Sequence, residues 1–316
     1  MHHYDTPMNV KLSELELRVI YLLDGSLTMG ELAERASVTR GYISRAVASL
    51  RDKGFVEISK SGITKNVSLT NNLHAVTLRT ILHKRSYMPL TKLLQGSGIR
   101  VLAVLSGGRA DFANLRDESG VSVATLWRWI KKFKEHAMLL SRNHEYKLPH
   151  DLQDIQEFLK YYCAYSATST LREISPEGDF IATHGFEFLF TSNKTIAHEN
   201  VKPSGLTAIS ETIPLMLTEK YYFHSSRRLL IEEMAVHAIV ADPHSKRDLT
   251  YVILYILKTK LDKDLFFRIS TRYGVADISQ SILNLLTIKK QPEQSFMPSL
   301  SYIKEKAEEY NIRWQE

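Results

Sequence analysis

The chain's 316 residues, 44% hydrophobic and 24% charged with a net charge of +6, have the composition of an ordinary folded protein of two or three domains. Its single cysteine, Cys163, excludes an intramolecular disulfide and a zinc site built from several cysteines. The first residues lack the apolar core of a signal peptide, and no apolar run approaches the ~20 residues of a membrane span, so we expect a cytoplasmic protein without membrane contact.

Charge is unevenly distributed along the chain. Residues 1–150 contain 22 Lys and Arg against 13 Asp and Glu, whereas residues 151–316 contain 19 against 22. A basic half joined to a slightly acidic half is typical of a protein in which one part contacts a polyanion. The asymmetry indicates a nucleic-acid partner for the N-terminal half.

Three helices are predicted at the start of the chain. The first is apolar and follows Ser13, a suitable N-cap. Thr28 and Glu31 have the spacing of a capping box for the second helix. The third begins at Arg40 and stops before Gly54, because glycine accepts the left-handed backbone common at helix ends.

Two strands are predicted after the third helix. The alternating segments 55–59 and 65–70 are separated by a turn at Ser61 and Gly62. Three helices followed by a two-stranded hairpin is the order of a winged helix-turn-helix. Residues 1–72 are therefore the first predicted domain.

The same pattern recurs about 83 residues later. Aligning the turns between the second and third helices pairs Val38 with Val121 and Arg45 with Arg128. Helices precede this turn and a shorter wing follows it. We predict a second winged helix domain at 96–150, joined to the first by a helical linker at 73–95.

Both segments resemble known regulators. Residues 28–70, with ELAERASVTRGYISRAVASLRDKGFVEI, and residues 98–148, with FANLRDESGVSVATLWRWIKKFKEHAML, resemble winged helix transcription regulators of the MarR-like and archaeal types. The resemblance implies a mainly α fold with small β-sheets, and sequence-specific binding of double-stranded DNA. The second segment departs from the family pattern, because Ala137 replaces the usual glycine before the wing and the wing is short.

The outward side chains of the first unit are candidate DNA contacts. A helix fits the major groove, where exposed polar side chains reach base edges and Arg clamps guanine. Basic wing residues reach the phosphate backbone. The candidates are Arg40, Tyr42, Ser44, Arg45 and Ser49 on the helix, with Lys60 and Lys65 on the wing. The alternative is a winged helix that binds protein.

The second unit offers a parallel set of candidates. They are Thr125, Trp127, Arg128, Lys131 and Lys132. Trp127 matches Ser44 and should point outward, whereas Trp129 should lie in the core. An outward tryptophan serves equally well against nucleic acid or in a protein interface.

For residues 151–316 we predict a mixed α/β, helix-rich domain that serves dimerisation, partner binding or effector binding. The stretch KPSGLTA from Lys202, with the Tyr-rich strand after it and the helices through Leu286, is similar to the C-terminal domain of AbiEi-type abortive-infection antitoxins. That resemblance implies an autoregulator whose C-terminal domain counteracts a partner toxin. The sequence allows two modes of DNA binding. A homodimer could bind a palindromic operator, or one chain could bind with both of its winged helix units.

Signatures of catalysis are missing from the sequence. It has no nucleophile elbow, Walker loop or metal-ligand spacing, and His237 lies in an apolar helix that favours a core role. We predict no catalytic residue, no metal and no cofactor. The alternatives are an unfamiliar transferase that would use a carboxylate such as Asp242 or Asp248, and a scaffold that binds protein.

Overall fold

The computed structural model describes residues 9–62, 64–289 and 294–313. The chain divides into two compact units, Met1–Thr170 and Leu171–Glu316. The described ranges consist mainly of helices with small antiparallel sheets, which confirms the predicted mainly α class with small β-sheets. The first unit extends 20 residues beyond 150, where we predicted the C-terminal domain to begin.

The first unit opens with three helices and a three-stranded sheet. In chain order the elements are α1 Glu14–Leu22, β1 Leu27–Thr28, α2 Met29–Arg35, α3 Arg40–Asp52, β2 Val56–Ser61 and β3 Thr64–Leu69. The strand order is β1-β3-β2, all antiparallel. Ser13 and Thr28 form capping boxes with Glu16 and Glu31, so the predicted starts of α1 and α2 are confirmed.

The rest of the first unit repeats this arrangement after two connecting helices. The elements are α4 Leu73–Lys84, α5 Leu90–Leu93, α6 Gly98–Ser106, β4 Ala110–Asp111, α7 Phe112–Ser119, α8 Val123–Glu135, β5 Leu140–Arg142 and β6 Glu145–Lys147. The strand order β4-β6-β5 matches that of the first sheet. Helix α8 starts 83 positions after α3 and has the same 13 residues of length.

A long helix, α9 Gln153–Ile174, follows a short 3-10 turn at His150–Leu152. Near its start, Asp154 accepts two hydrogen bonds of 2.9 Å from the Arg85 guanidinium at the end of α4. Further along, the ring of Tyr162 lies 5.1 Å from Phe55 and the ring of Tyr165 lies 4.3 Å from His74. Helix α9 therefore packs against the base of the first wing.

The C-terminal unit combines one sheet with a helical core. Its elements are β7 Asp179–His184, β8 Glu187–Ser192, β9 Val201–Pro203, α10 Gly205–Ser210, β10 Lys220–His224, α11 Ile231–Ala241, α12 Lys246–Thr259, α13 Lys263–Arg272, α14 Ala276–Ile288 and α15 Leu300–Glu309. The antiparallel strand order is β7-β8-β10-β9. A buried apolar cluster joins α10 to the five helices that follow, and it includes Ile239, Ile253 and Phe266.

Candidate nucleic-acid interface

Helix α3 turns one face to the core and the other to solvent. Its buried side chains recur at helical spacing and are Ile43, Ala46, Val47 and Leu50. The same spacing leaves a polar face exposed, composed of Arg40, Tyr42, Ser44 and Arg45. Four of the predicted contact residues therefore share one accessible surface, which we call the α3 face.

Tyr42 and Arg45 form a pair on the α3 face. The guanidinium carbon of Arg45 lies 4.7 Å from the centroid of the Tyr42 ring. This is a cation–π contact between residues that are three positions apart and therefore neighbours on the helix surface. Tyr42 is 55% exposed, so its ring is not needed for the core. The contact holds the Arg45 side chain against the helix surface and limits its rotamers.

Arg40 lies against the start of α2. A Cβ atom added at Gly30 would lie 3.2 Å from Nη2 of Arg40, so only a residue without a side chain leaves full room for the guanidinium there. Arg40 is exposed to solvent at the same time. The Arg40 guanidinium therefore lies beside the first turn of α2, at the edge of the α3 face.

Ser49 differs from the other candidates because it is half-buried. It is a neighbour of Glu16, whose buried carboxylate lies 2.5 Å from Nζ of Lys53. Burial alone would raise the pKa of Glu16, but hydrogen bonds from Lys53, Ser13 and Ser49 hold this pKa below its ordinary value. Ser49 therefore supports the ion pair that anchors α3 to α1.

The wing places two lysines side by side. Lys60 on β2 and Lys65 on β3 are direct cross-strand partners, and both are exposed. Like charges at such positions destabilise a hairpin. A phosphate between the two ammonium groups would remove that repulsion, so the pair is suited to contact with a nucleic-acid backbone.

In the second segment, α8 presents a comparable but less polar surface. Thr125 is half-buried, and its hydroxyl accepts hydrogen bonds of 3.0 Å from Ser122 and from Nη2 of Arg128. Trp127 is 53% exposed, which confirms its outward orientation. Trp129 is only half-buried, with Nε1 donating to Ser97 at 2.8 Å, so its predicted core position is only partly reached.

The two lysine candidates on α8 face different surroundings. Lys131 is exposed and lies 4.0 Å from Glu135. Lys132 instead donates to the carbonyl of Lys92 at 2.6 Å, and its ammonium lies 4.8 Å from the centroid of the Trp129 ring. Lys132 therefore ties α8 to the segment before α6, whereas Lys131 is accessible to a ligand.

A basic cleft on the second wing was missed in the sequence analysis. A cavity of about 200 Å³ is lined by Arg109, Arg142 and Lys147, with Tyr146 beneath them and Glu145 at 3.7 Å from Arg109. The signal in the sequence that could have found the cleft is the pair of basic residues, Arg142 and Lys147, in the short wing.

Several buried polar groups of the C-terminal unit pair with one another. The guanidinium of Arg227 bonds both Glu187 and Glu233, at 2.8 and 2.6 Å. His237 is fully buried, as predicted, between the hydroxyls of Ser204 at 2.7 Å and Tyr273 at 2.9 Å. Among the residues that the structure describes, no group of three or more His, Cys, Asp or Glu side chains could hold a metal.

The geometry of residues 14–69 defines a winged helix-turn-helix domain, with an exposed polar recognition helix and a lysine-bearing wing. Residues 16–62 match the family model of the MarR family. The match supports a DNA-binding transcription regulator as the class of this protein.

The other comparisons give no further relatives. Neither a curated protein nor a solved structure matches the chain. The resemblance of the C-terminal half to AbiEi-type antitoxins therefore stays a prediction. In the described ranges, no helix combines the length and apolar character needed to cross a membrane.

Proposed function

We propose that the chain is a sequence-specific transcription regulator that binds duplex DNA through two winged helix units, at 1–72 and 96–150. The observation that carries the proposal is the α3 face together with the Lys60–Lys65 pair. A helix with exposed arginines beside a basic hairpin offers base contacts and phosphate contacts to one duplex.

The second unit is supported by its equivalence to the first. Both segments have three helices, a two-residue strand before the second helix and a hairpin, with the same strand order. Arg45 and Arg128 occupy matching positions, and each contacts the side chain three residues before it, Tyr42 or Thr125. The two equivalent arginines are thus each oriented by a side chain of their own helix.

The junction between the units is structured. The amide of Gly96 donates to the carbonyl of Leu12 at 2.7 Å, and Lys132 bonds the carbonyl of Lys92. Short tethers raise the effective concentration of the second unit once the first has bound, provided that both sites can be reached together. A structured junction also predicts one preferred spacing between the two DNA contacts.

The C-terminal unit has a feature that favours effector binding among its predicted roles. An open cleft of about 510 Å³ is lined by Arg247, Tyr251, Tyr310 and the loop around Met216. The cleft is shallow, and the Arg247 guanidinium, which also donates to the carbonyl of Met216 at 2.7 Å, lies beside aromatic rings, an arrangement that suits a small anion. A thermal-shift screen of aromatic acids and nucleotides tests this role, since a true ligand should lose its effect in Arg247→Ala.

The test of DNA binding is selection of bound fragments from randomised duplex DNA. We expect a recurring motif whose affinity falls by about 1–3 kcal/mol in Arg45→Ala, because that side chain would clamp a base. Arg51→Ala removes an equal charge from α3, but its guanidinium lies 3.2 Å from Asp52, so it is the matched control. Equal binding of all sequences, or no effect of Arg45→Ala, would contradict the proposal.

A further inference from the structure

The recognition helices of the two units carry different chemistry at equivalent positions. Because α8 follows α3 by 83 positions, Val123 stands where α3 has Arg40, and Trp127 stands where α3 has Ser44. Two polar positions of the first helix are thus apolar in the second. The two helices are therefore built for different contacts.

Trp127 is held in place before any partner binds. Its ring centroid lies 4.7 Å from that of Phe112, the first residue of α7, at an interplanar angle of 31°. Trp127 is nevertheless 53% exposed, and Val123, one turn earlier, is 47% exposed. These three side chains form a surface that we call the α8 apolar patch. A pre-arranged ring loses little entropy on binding.

The charge around the patch indicates what covers it. Helix α8 contains four basic residues and one acidic residue, Glu135, at its last position. Charged residues are depleted from the cores of protein interfaces. A polyanion, in contrast, is attracted to such a helix. The α8 apolar patch therefore fits an apolar group that is carried on nucleic acid.

Duplex DNA offers one apolar group on the base edges of its major groove, the C5-methyl group of thymine. Apolar side chains of a recognition helix contact this methyl, whereas arginine and lysine take guanine. Helix α8 has Val123 and Trp127 at the positions where α3 has Arg40 and Ser44. It therefore offers apolar surface for a methyl group where α3 offers hydrogen-bonding groups.

We propose that α8 recognises thymine in the major groove, with Trp127 and Val123 packed on the 5-methyl groups. The inference rests on the proposed function, because α8 must lie in the groove of a bound duplex. It assigns different base preferences to the two halves of the site. The α3 half is read through hydrogen bonds, and the α8 half is read through thymine methyls.

The test replaces thymine by uracil, which removes the methyl group and leaves the base pair intact. The duplex is the one recovered by selection with the full chain, and the half whose preference relaxes in Arg45→Ala is the α3 half. Uracil in the other half should weaken wild-type binding about fourfold for each contacted methyl, from about 0.8 kcal/mol per carbon buried. Uracil in the α3 half is the matched control.

Trp127→Ala makes this measurement specific to one side chain. The variant should bind the thymine duplex more weakly and lose the part of its sensitivity to uracil that comes from Trp127, since the two changes remove the same contact. Trp127→Phe should keep part of the sensitivity, which separates loss of contact from misfolding. Equal uracil effects in wild type and Trp127→Ala would overturn the inference, as would a recovered α8 half without thymine.

Two further outcomes separate this inference from the proposed function. If Trp127→Ala leaves DNA affinity unchanged and alters the oligomeric state instead, the patch is a protein interface and the inference fails alone. If wild type binds no duplex preferentially and Arg45→Ala changes nothing, the proposed function fails and takes the inference with it.

Discussion

Gly54 and Ala137 occupy the same left-handed backbone conformation, with φ of +72° and +53°, just after the equivalent helices α3 and α8. The amides of Gly54 and Ala137 each donate to the carbonyl three residues earlier, that of Arg51 or Lys134. In both copies the amide of the following residue donates to the carbonyl five residues before it. The cap that ends α3 therefore also ends α8. Only the first copy has the residue that adopts this backbone without strain.

Replacing Ala137 with glycine should stabilise the N-terminal compact unit, Met1–Thr170. A left-handed alanine costs about 1–2 kcal/mol, and the extra freedom of glycine in the unfolded chain offsets part of this, so we expect a gain of about 0.5–1 kcal/mol. Urea unfolding followed by tryptophan fluorescence measures the shift in midpoint. A loss of stability would show that Ala137 makes a contact worth more than its strain.

The reciprocal change, Gly54→Ala, should be strongly destabilising. The new Cβ would lie 2.1 Å from a ring carbon of Tyr165, in addition to the strain of its positive φ. Overpacking and strain together predict a loss of roughly 2–4 kcal/mol. Gly54→Ala with Tyr165→Ala removes the clash and should be less destabilising than the sum of the two single changes. Simple additivity would contradict this account.

The buried pair of Lys53 and Glu16 predicts an asymmetric response to mutation. Lys53→Met leaves the carboxylate without its cation, which typically costs about 3–5 kcal/mol, and the pKa of Glu16 should rise because only the hydrogen bonds from Ser13 and Ser49 then oppose the effect of burial. The double variant with Glu16→Leu should recover much of the stability. Denaturant midpoints of the four proteins test this, and a double variant no better than Lys53→Met would refute it.

Local signals in the sequence predicted most of the winged helix unit. The capping boxes at Ser13 and Thr28 act within four residues, and the buried positions of α3 follow from its helical spacing. Strands β1 and β4 were not predicted because two residues are too few to show an alternation. They are recognisable only through their partner strands.

The parts of the site that depend on contacts between residues far apart in the chain could not be predicted from the sequence. Ser49 lies on α3 at a position that allows DNA contact, but its hydroxyl lies beside Glu16, more than thirty residues earlier. Helix α9 packs on Phe55 and His74, and nothing in its own apolar pattern names these partners. Periodicity identifies which face is buried, and only the tertiary structure shows what covers it.

His74 should make stability depend on pH. Burial lowers the pKa of His74 from 6.5 to about 4, and its Nε2 lies 3.1 Å from the carbonyl of Lys53. The unfolded state binds the proton more tightly, so the stabilisation is complete above pH 6.5 and declines as pH falls towards 4. At pH 5 the loss is roughly 2 kcal/mol.

The measurement for His74 is the urea midpoint between pH 7.5 and 5, compared with His74→Phe. The variant keeps an aromatic ring beside Phe55 and Tyr165 but cannot titrate, so its stability should fall less over this range. His237, whose pKa burial lowers to about 3, is unchanged in both proteins and cancels in the comparison. Parallel pH profiles for the two proteins would contradict the prediction.

The Lys60–Lys65 pair should show opposite effects on stability and on DNA binding. Replacing both with alanine removes a cross-strand repulsion, so the first unit should gain a few tenths of a kcal/mol. The same change removes the two phosphate contacts that we propose for the wing and should reduce the slope of log K against log salt by about 2. The control is Lys160→Ala, which removes an exposed charge from α9 and should leave the salt slope unchanged. A salt slope that is equal in the double variant and wild type would show that the wing does not touch the backbone, even if the repulsion is real.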